Sequence, residues 1–385
     1  MIFFNLKILN LKNIKTFLRN IHLFLFNLCS KNDGHIMGRI ISYNRRKIAS
    51  KRLKFLFYEV VPIFLIIFMF LILEWTLLPL IMSQTSALFG MLFYLIRALV
   101  ILLAIILVLF ISNRFKTKNS PQVEKELAPY LGYLKLYSMT KKNYKYQLLY
   151  GFLLLFLILI PLEFLISITL PDSIPYVAVS VENAILLIDN VALFLLFSVV
   201  IQLSLSFSEE SIFRGLITKR GSEYFNKISA VMIATFSFTF LDFFINPYIF
   251  TVSFYFSVLW FIKSFIISLV LSLTIIRRKW LFPMIIAKTF DSIISSLIIR
   301  DYLRGGNFIQ LLIFIYFPLL IISLILLILQ RSRVKESLKL GTKMIKSYYR
   351  NDIKIEESSG DKLFRILFDI FLAFLLFLFG ILFSV

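Results

Sequence analysis

The sequence predicts an all-α polytopic membrane bundle of about nine transmembrane helices, with its N-terminus inside. Three observations predict it. Hydrophobic residues make up 59% of the 385, with 44 phenylalanines, more apolar surface than a soluble core can hide. Nine apolar runs follow one another, most near the roughly 20 residues that cross a hydrocarbon core. Thirty-five of the 42 lysines and arginines fall in five segments, which lie on one side if nine spans simply alternate.

Residues 1–56 are basic, and the positive-inside rule makes them cytoplasmic. Residues 1–36 read either as an interfacial amphipathic helix or as a stretch upstream of a start at Met37. Spans one to three are expected at 57–82, 87–112 and 148–170, and the basic loop 113–147 joins the second to the third. That loop holds "SPQVEKELAPYLGYLKLYSMTKKNYKY", read as a short interfacial helix with Tyr and Lys at headgroup level. The following spans are expected at 185–206, 229–245, 248–276 and 281–299, in a core unit bounded at 185–300. A last unit, 308–385, holds spans at 308–330 and 363–385 around the charged loop 331–362.

The other basic segments are 219–228, Arg277-Arg278-Lys279 and 331–362, while the opposite loops hold only Arg300 and Arg304. The formal charge of +21 is therefore a topology and anionic-lipid signal rather than a nucleic-acid footprint. The C-terminus is expected outside, and the whole in the cell membrane. Cys29 is the single cysteine, and both histidines, His22 and His35, precede the first span. An intrachain disulfide and a Cys-based metal site are excluded, and neither metal nor cofactor is expected.

Within the fourth span, "SFSEESIFRGLI" sets two carboxylates side by side, where a charge is costly and usually functional. Apolar periodicity continues without Gly or Pro to Gly215, so one helix is expected from 185 to about 218. Glu209 precedes the interfacial Lys219 by ten residues, about 15 Å of helix. Glu210 and Arg214, spaced i,i+4, share a face and can pair. Glu209 is turned about 100° away and is free to face a cavity. Spacing alone also permits a helix-stabilising pair with Glu209 snorkelling to water.

"EESIFRGLI" closely resembles the Glu-Glu-x-x-x-Arg motif of the CPBP family, the CAAX-processing and bacteriocin-processing (Abi-type) glutamic intramembrane proteases. That resemblance implies a multi-span fold, a cavity open to the cytoplasm and a metal-independent, cofactor-free endopeptidase acting on a membrane-associated peptide. The family's second motif, Phe-x-x-x-His, matches "FTFLD", with Phe238 and with Asp242 where His belongs. Its third, His-x-x-x-Asn or Asp, matches "KTFDS", with Lys288 at the His and Ser292 at the Asn position. The resemblance implies Glu209 as base, Glu210–Arg214 as a structural pair, Asp242 as a second acid sharing a proton with Glu209, and Lys288 as oxyanion donor or partner of Asp242. Ser292 completes the set.

Two functions stay open: an endopeptidase, and a non-catalytic pseudoprotease that binds or scaffolds in the membrane. A transporter is disfavoured, because the charges form one cluster rather than two matching halves. The other charges in spans read as structural. Glu74 can pair with Arg97, Glu163 follows a kink at Pro161, and Asp189 sits at an outer helix end. Lys263 is within reach of Asp242 or Asp189, and Asp369 is expected to pair with Arg365 at i−4. Trp75, Trp260 and Trp280 read as interface or packing residues.

Overall fold

A computed structural model describes residues 36–83, 86–119, 128–168, 183–186, 188–245, 254–349 and 358–384. The N-terminal stretch to residue 35, both histidines, loop residues 120–127 and residues 246–253 lie outside them. Among the described residues all regular structure is helical. Nine helices among the described residues are long and apolar enough to cross a membrane, and the chain is a multi-pass membrane protein. They are α1 (Arg45–Ile81), α2 (Ala87–Asn113), α3 (Tyr144–Ile168), α4 (Val191–Tyr224), α5 (Lys227–Phe244), α6 (Phe254–Arg278), α7 (Phe282–Leu303), α8 (Ile309–Leu329) and α9 (Ser359–Ile381).

Large apolar side chains point outward all along these helices, among them Leu65, Leu103, Ile313 and Leu324, as lipid-facing positions should. The inward faces carry the core, built at the centre from Phe213, Leu216, Ile233, Ala234, Ile267 and Met284. Several serines and threonines buried there bond back to their own helices. Ser204 donates to Val200 O at 2.7 Å, Ser237 to Ile233 O at 2.7 Å and Thr239 to Thr235 O at 2.8 Å.

Two local features depart from the sequence expectation. The fourth span does not run as one helix from residue 185. A short turn, Asn183–Leu186, stops, and α4 starts afresh at Val191. Asn190 causes the restart, because its side-chain oxygen accepts from the backbone N–H of Ala192 (2.9 Å) and Leu193 (3.3 Å). From Glu210 to Arg220 the helix then widens into a π-helix, the longest of four π segments among the described residues. One of the others, Leu155–Leu159, precedes Pro161 in α3, where the kink was expected.

Ion pairs tie one end of the bundle together. Arg52 meets Asp369 at 2.6 Å and Arg45 meets Asp361 at 3.0 Å, joining α1 to α9. Arg220 clamps Glu59 through Nε (2.9 Å) and Nη2 (2.7 Å), joining α4 to α1. The expected Asp369–Arg365 pair is thereby corrected. Asp369 is 1% exposed and takes its cation from the facing helix, while Arg365 donates to the Tyr348 carbonyl at 2.7 Å. At the other end Asp189 pairs with Arg304 at 2.9 Å, and Arg300 donates to the carbonyls of Ile188 (3.1 Å) and Asp189 (2.9 Å).

Candidate active site

The cluster is built on α4, α5 and α7, with α3 and α6 behind it. Glu210 and Arg214 are both fully buried, and Arg214 Nε lies 3.3 Å from Glu210 Oε2. Their i,i+4 spacing keeps them on one face even in the wide π turn. Arg214 also lies over the Phe238 ring, 4.6 Å from its centroid, so α5 supplies an aromatic face to a cation that has no water. Glu209 is turned outward as the spacing predicts, with 40% of its side chain exposed.

Lys288 reaches into this pair from α7. Its ammonium forms an ion pair with Glu209 and lies 3.5 Å from Glu210 Oε1. It also sits 4.6 Å from the Phe238 centroid, so one ring serves both cations. Four charges, two of each sign, are thus brought together, and the charge balance is local. Such neutrality is what a water-poor site requires.

Asp242 lies within electrostatic reach of both Glu209 and Lys288. Its Oδ2 accepts from Trp260 Nε1 at 3.0 Å and from the Ser264 hydroxyl, both on α6. Lys263 lies within electrostatic reach of Asp242, as expected, meets Glu163 of α3 at 2.5 Å and lies over Trp260, 4.3 Å from the ring centroid. Ser292, one turn beyond Lys288 on α7, is half-buried, and its carbonyl accepts from Ser296 at 2.8 Å. Glu74 and Arg97 lie within electrostatic reach of each other, away from this cluster.

One contributor was not anticipated. The basic loop's short helix, Pro129–Leu134, runs into a 3₁₀ turn, Lys135–Tyr137, that docks on the π-helix. Tyr137 donates to Ser211 Oγ at 2.6 Å and Tyr133 to the Ser211 carbonyl at 3.0 Å. Burial pushes the Tyr133 hydroxyl well above its ordinary value and Tyr137 up to about 12, so both remain protonated donors at neutral pH. Gly215 is required by this docking, since a Cβ there would come within 2.8 Å of the Tyr133 ring. Leu281 N donates to Leu136 O at 2.9 Å, which ties the same turn to the start of α7 and so to Lys288. A glycine just after the motif arginine was the one visible trace of this contact.

The arrangement can take a proton at Glu209 and present a positive charge beside it, with a sealed counter-pair behind. No curated protein and no solved structure matches the chain. Residues 191–294, which carry all the residues from Glu209 to Ser292, match the family model described as type II CAAX prenyl endopeptidase Rce1-like, and this segment of the chain is similar to that family.

Proposed function

We propose that this protein is an intramembrane endopeptidase that hydrolyses a membrane-associated peptide, with its basic face and N-terminus in the cytoplasm of a cell-membrane bundle. One observation carries the reading: a half-exposed carboxylate, Glu209, stands beside an ammonium, Lys288, over a buried Glu210–Arg214 pair. Glu209 takes a proton from water as the water oxygen bonds to the scissile carbonyl carbon. The carbonyl electrons move to oxygen, and the Lys288 ammonium stabilises that oxyanion. As the intermediate collapses the C–N bond breaks, and Glu209 returns its proton to the leaving amine. Arg214 pairs with Glu210, and both carboxylates lie against the Lys288 ammonium. Asp242 acts as a positioning residue that fixes α5 against α6. Ser292 lies one turn from the reacting groups and is assigned the edge of the substrate path.

A second reading is favoured by the contact between Lys288 and Glu209 itself. An ammonium seated on the base competes with water for it, as a pseudoprotease with a charge-balanced cavity would show. The experiment compares new peptide termini in membrane fractions of cells carrying the unaltered protein, Glu209→Gln or a deletion. Termini present only with the unaltered protein support the endopeptidase. Identical termini in all three, with Glu209→Gln rescuing a deletion phenotype, establish the binding protein.

A further inference from the structure

The charged helix between α8 and α9 takes no part in this chemistry. It begins at Arg331, two residues after α8 ends at Leu329, and runs to Tyr349. Nineteen residues make about 28 Å of helix. Its position is fixed by the bundle. Gly341 lies against Leu273 near the end of α6, and buried Tyr348 donates to Asp369 Oδ2 at 2.9 Å while its carbonyl accepts from Arg365. Val334, Met344, Ile345 and Tyr348 share the side turned to the bundle and are partly or fully buried.

The other side is uncovered. Lys335, Lys339, Lys343 and Lys346 are all exposed, at i, i+4, i+8 and i+11, so that they form one row. Between that row and the buried side stand Leu338, 67% exposed, and Tyr349, 63% exposed. A lysine row flanked by uncovered apolar side chains is the profile of a helix in the membrane interface, its lysine stems along the acyl boundary and its ammoniums among headgroups. The end of the bundle on which it lies also exposes Arg277, Arg278 and Lys279 at the end of α6, and Lys51 and Lys54 in α1. A single acidic residue, Glu336, occurs in the helix. Charge complementarity therefore selects an anionic surface, and the direct continuation from α8 puts that surface within reach.

We propose that the helix Arg331–Tyr349 is a membrane-surface element whose lysine row binds the phosphates of anionic phospholipids. It holds α8 and α9 in register and is independent of catalysis at Glu209. The full chain, purified in neutral detergent, is offered phosphatidylglycerol, phosphatidylcholine or inorganic phosphate, and retained lipid is read by native mass spectrometry alongside Tm. Phosphatidylglycerol is retained and raises Tm, and K335Q/K339Q/K343Q/K346Q lowers that retention about tenfold or more, as the loss of several surface lysines should. Where the quadruple variant does not purify, Lys339→Glu is used alone, and a severalfold loss is expected. Equal retention of the two lipids, equal stabilisation by inorganic phosphate, or undiminished retention by the variants would each overturn the assignment.

Discussion

Lys288 and Glu209 form an ion pair between α7 and α4 although 79 positions separate them in the chain. The contact joins the residue that stands where the family has histidine to the carboxylate that the proposed mechanism uses as base. It is the most informative place to perturb the site, because each partner has a separate role. Glu209→Gln removes the base and is expected to lower kcat by about 10²–10⁴. Lys288→Met removes the oxyanion donor and is expected to cost about 10²–10³ in kcat. Their double variant should lose little more than the worse single one, since the two act as a unit. A reconstituted cleavage assay on a peptide identified from the membrane termini reads all three. Additive losses would mean that the residues do not cooperate.

The Glu210–Arg214 pair predicts a stability effect instead. Both side chains are fully buried, so removing either leaves the other charged and without water. Arg214→Met is expected to destabilise by about 3–5 kcal/mol, the usual cost of breaking a buried pair. Glu210→Gln should cost less, because the Phe238 ring and the Glu209 carboxylate still act on the surviving guanidinium. Replacing the two together with Gln and Met should recover part of the loss. Tm in detergent orders the three variants, and a neutral Arg214→Met would place that arginine in water.

The local half of this site was legible in the sequence, and the tertiary half was not. Glu210 with Arg214, and Glu209 turned away from both, follow from helical spacing alone. Lys288 was placed by its motif position, but its partner was not, because nothing in the sequence sets how far α7 is rotated against α4. Asp242 shows the same gap, since its acceptor role depends on Trp260 and Ser264 of α6. The spans themselves were readable because length and apolarity are properties of the sequence. The restart of α4 at Asn190 was overlooked because an asparagine in an apolar run reads equally as an inward polar residue. The docked tyrosines were unreadable for a similar reason. "YLGYLKLY" has the composition of a headgroup anchor, and only the approach of Gly215 shows the docking.

Those tyrosines give a third prediction. Tyr137 and Tyr133 hold the oxygen atoms of Ser211, the residue that follows Glu210. Tyr137→Phe keeps the ring and deletes two hydrogen bonds, to Ser211 Oγ and to the Tyr133 hydroxyl, each worth about 0.5–1.5 kcal/mol. It should lower kcat while leaving KM unchanged, because it loosens the glutamates without touching a substrate. Gly215→Ala should be worse, since the added methyl meets the Tyr133 ring and forces the docked turn away. Tyr133→Ala in the same chain opens space for that methyl and should restore part of the stability. Failure of the second change to improve Tm would mean that Gly215 is needed for its backbone instead.

Phe238 carries the last prediction, because its ring serves Arg214 and Lys288 at once, each 4.6 Å from its centroid. Phe213 packs edge-on against the same ring at 5.2 Å, which holds it in place between the two cations. Phe238→Leu conserves apolar character and removes the quadrupole, so it isolates the electrostatic part of the contact. Each desolvated cation–π contact is worth up to about 2 kcal/mol, and the loss should fall mainly on Arg214, which has no exposure to water. Lys288, which is 14% exposed, can recover hydration and should lose less. The variant is therefore expected to lower Tm strongly while keeping measurable cleavage. Phe238→Tyr, which keeps the π face, should lie between the two in Tm. If Phe238→Leu kept full stability, the glutamates alone would suffice to hold both cations, and the second-motif phenylalanine would be a packing residue only.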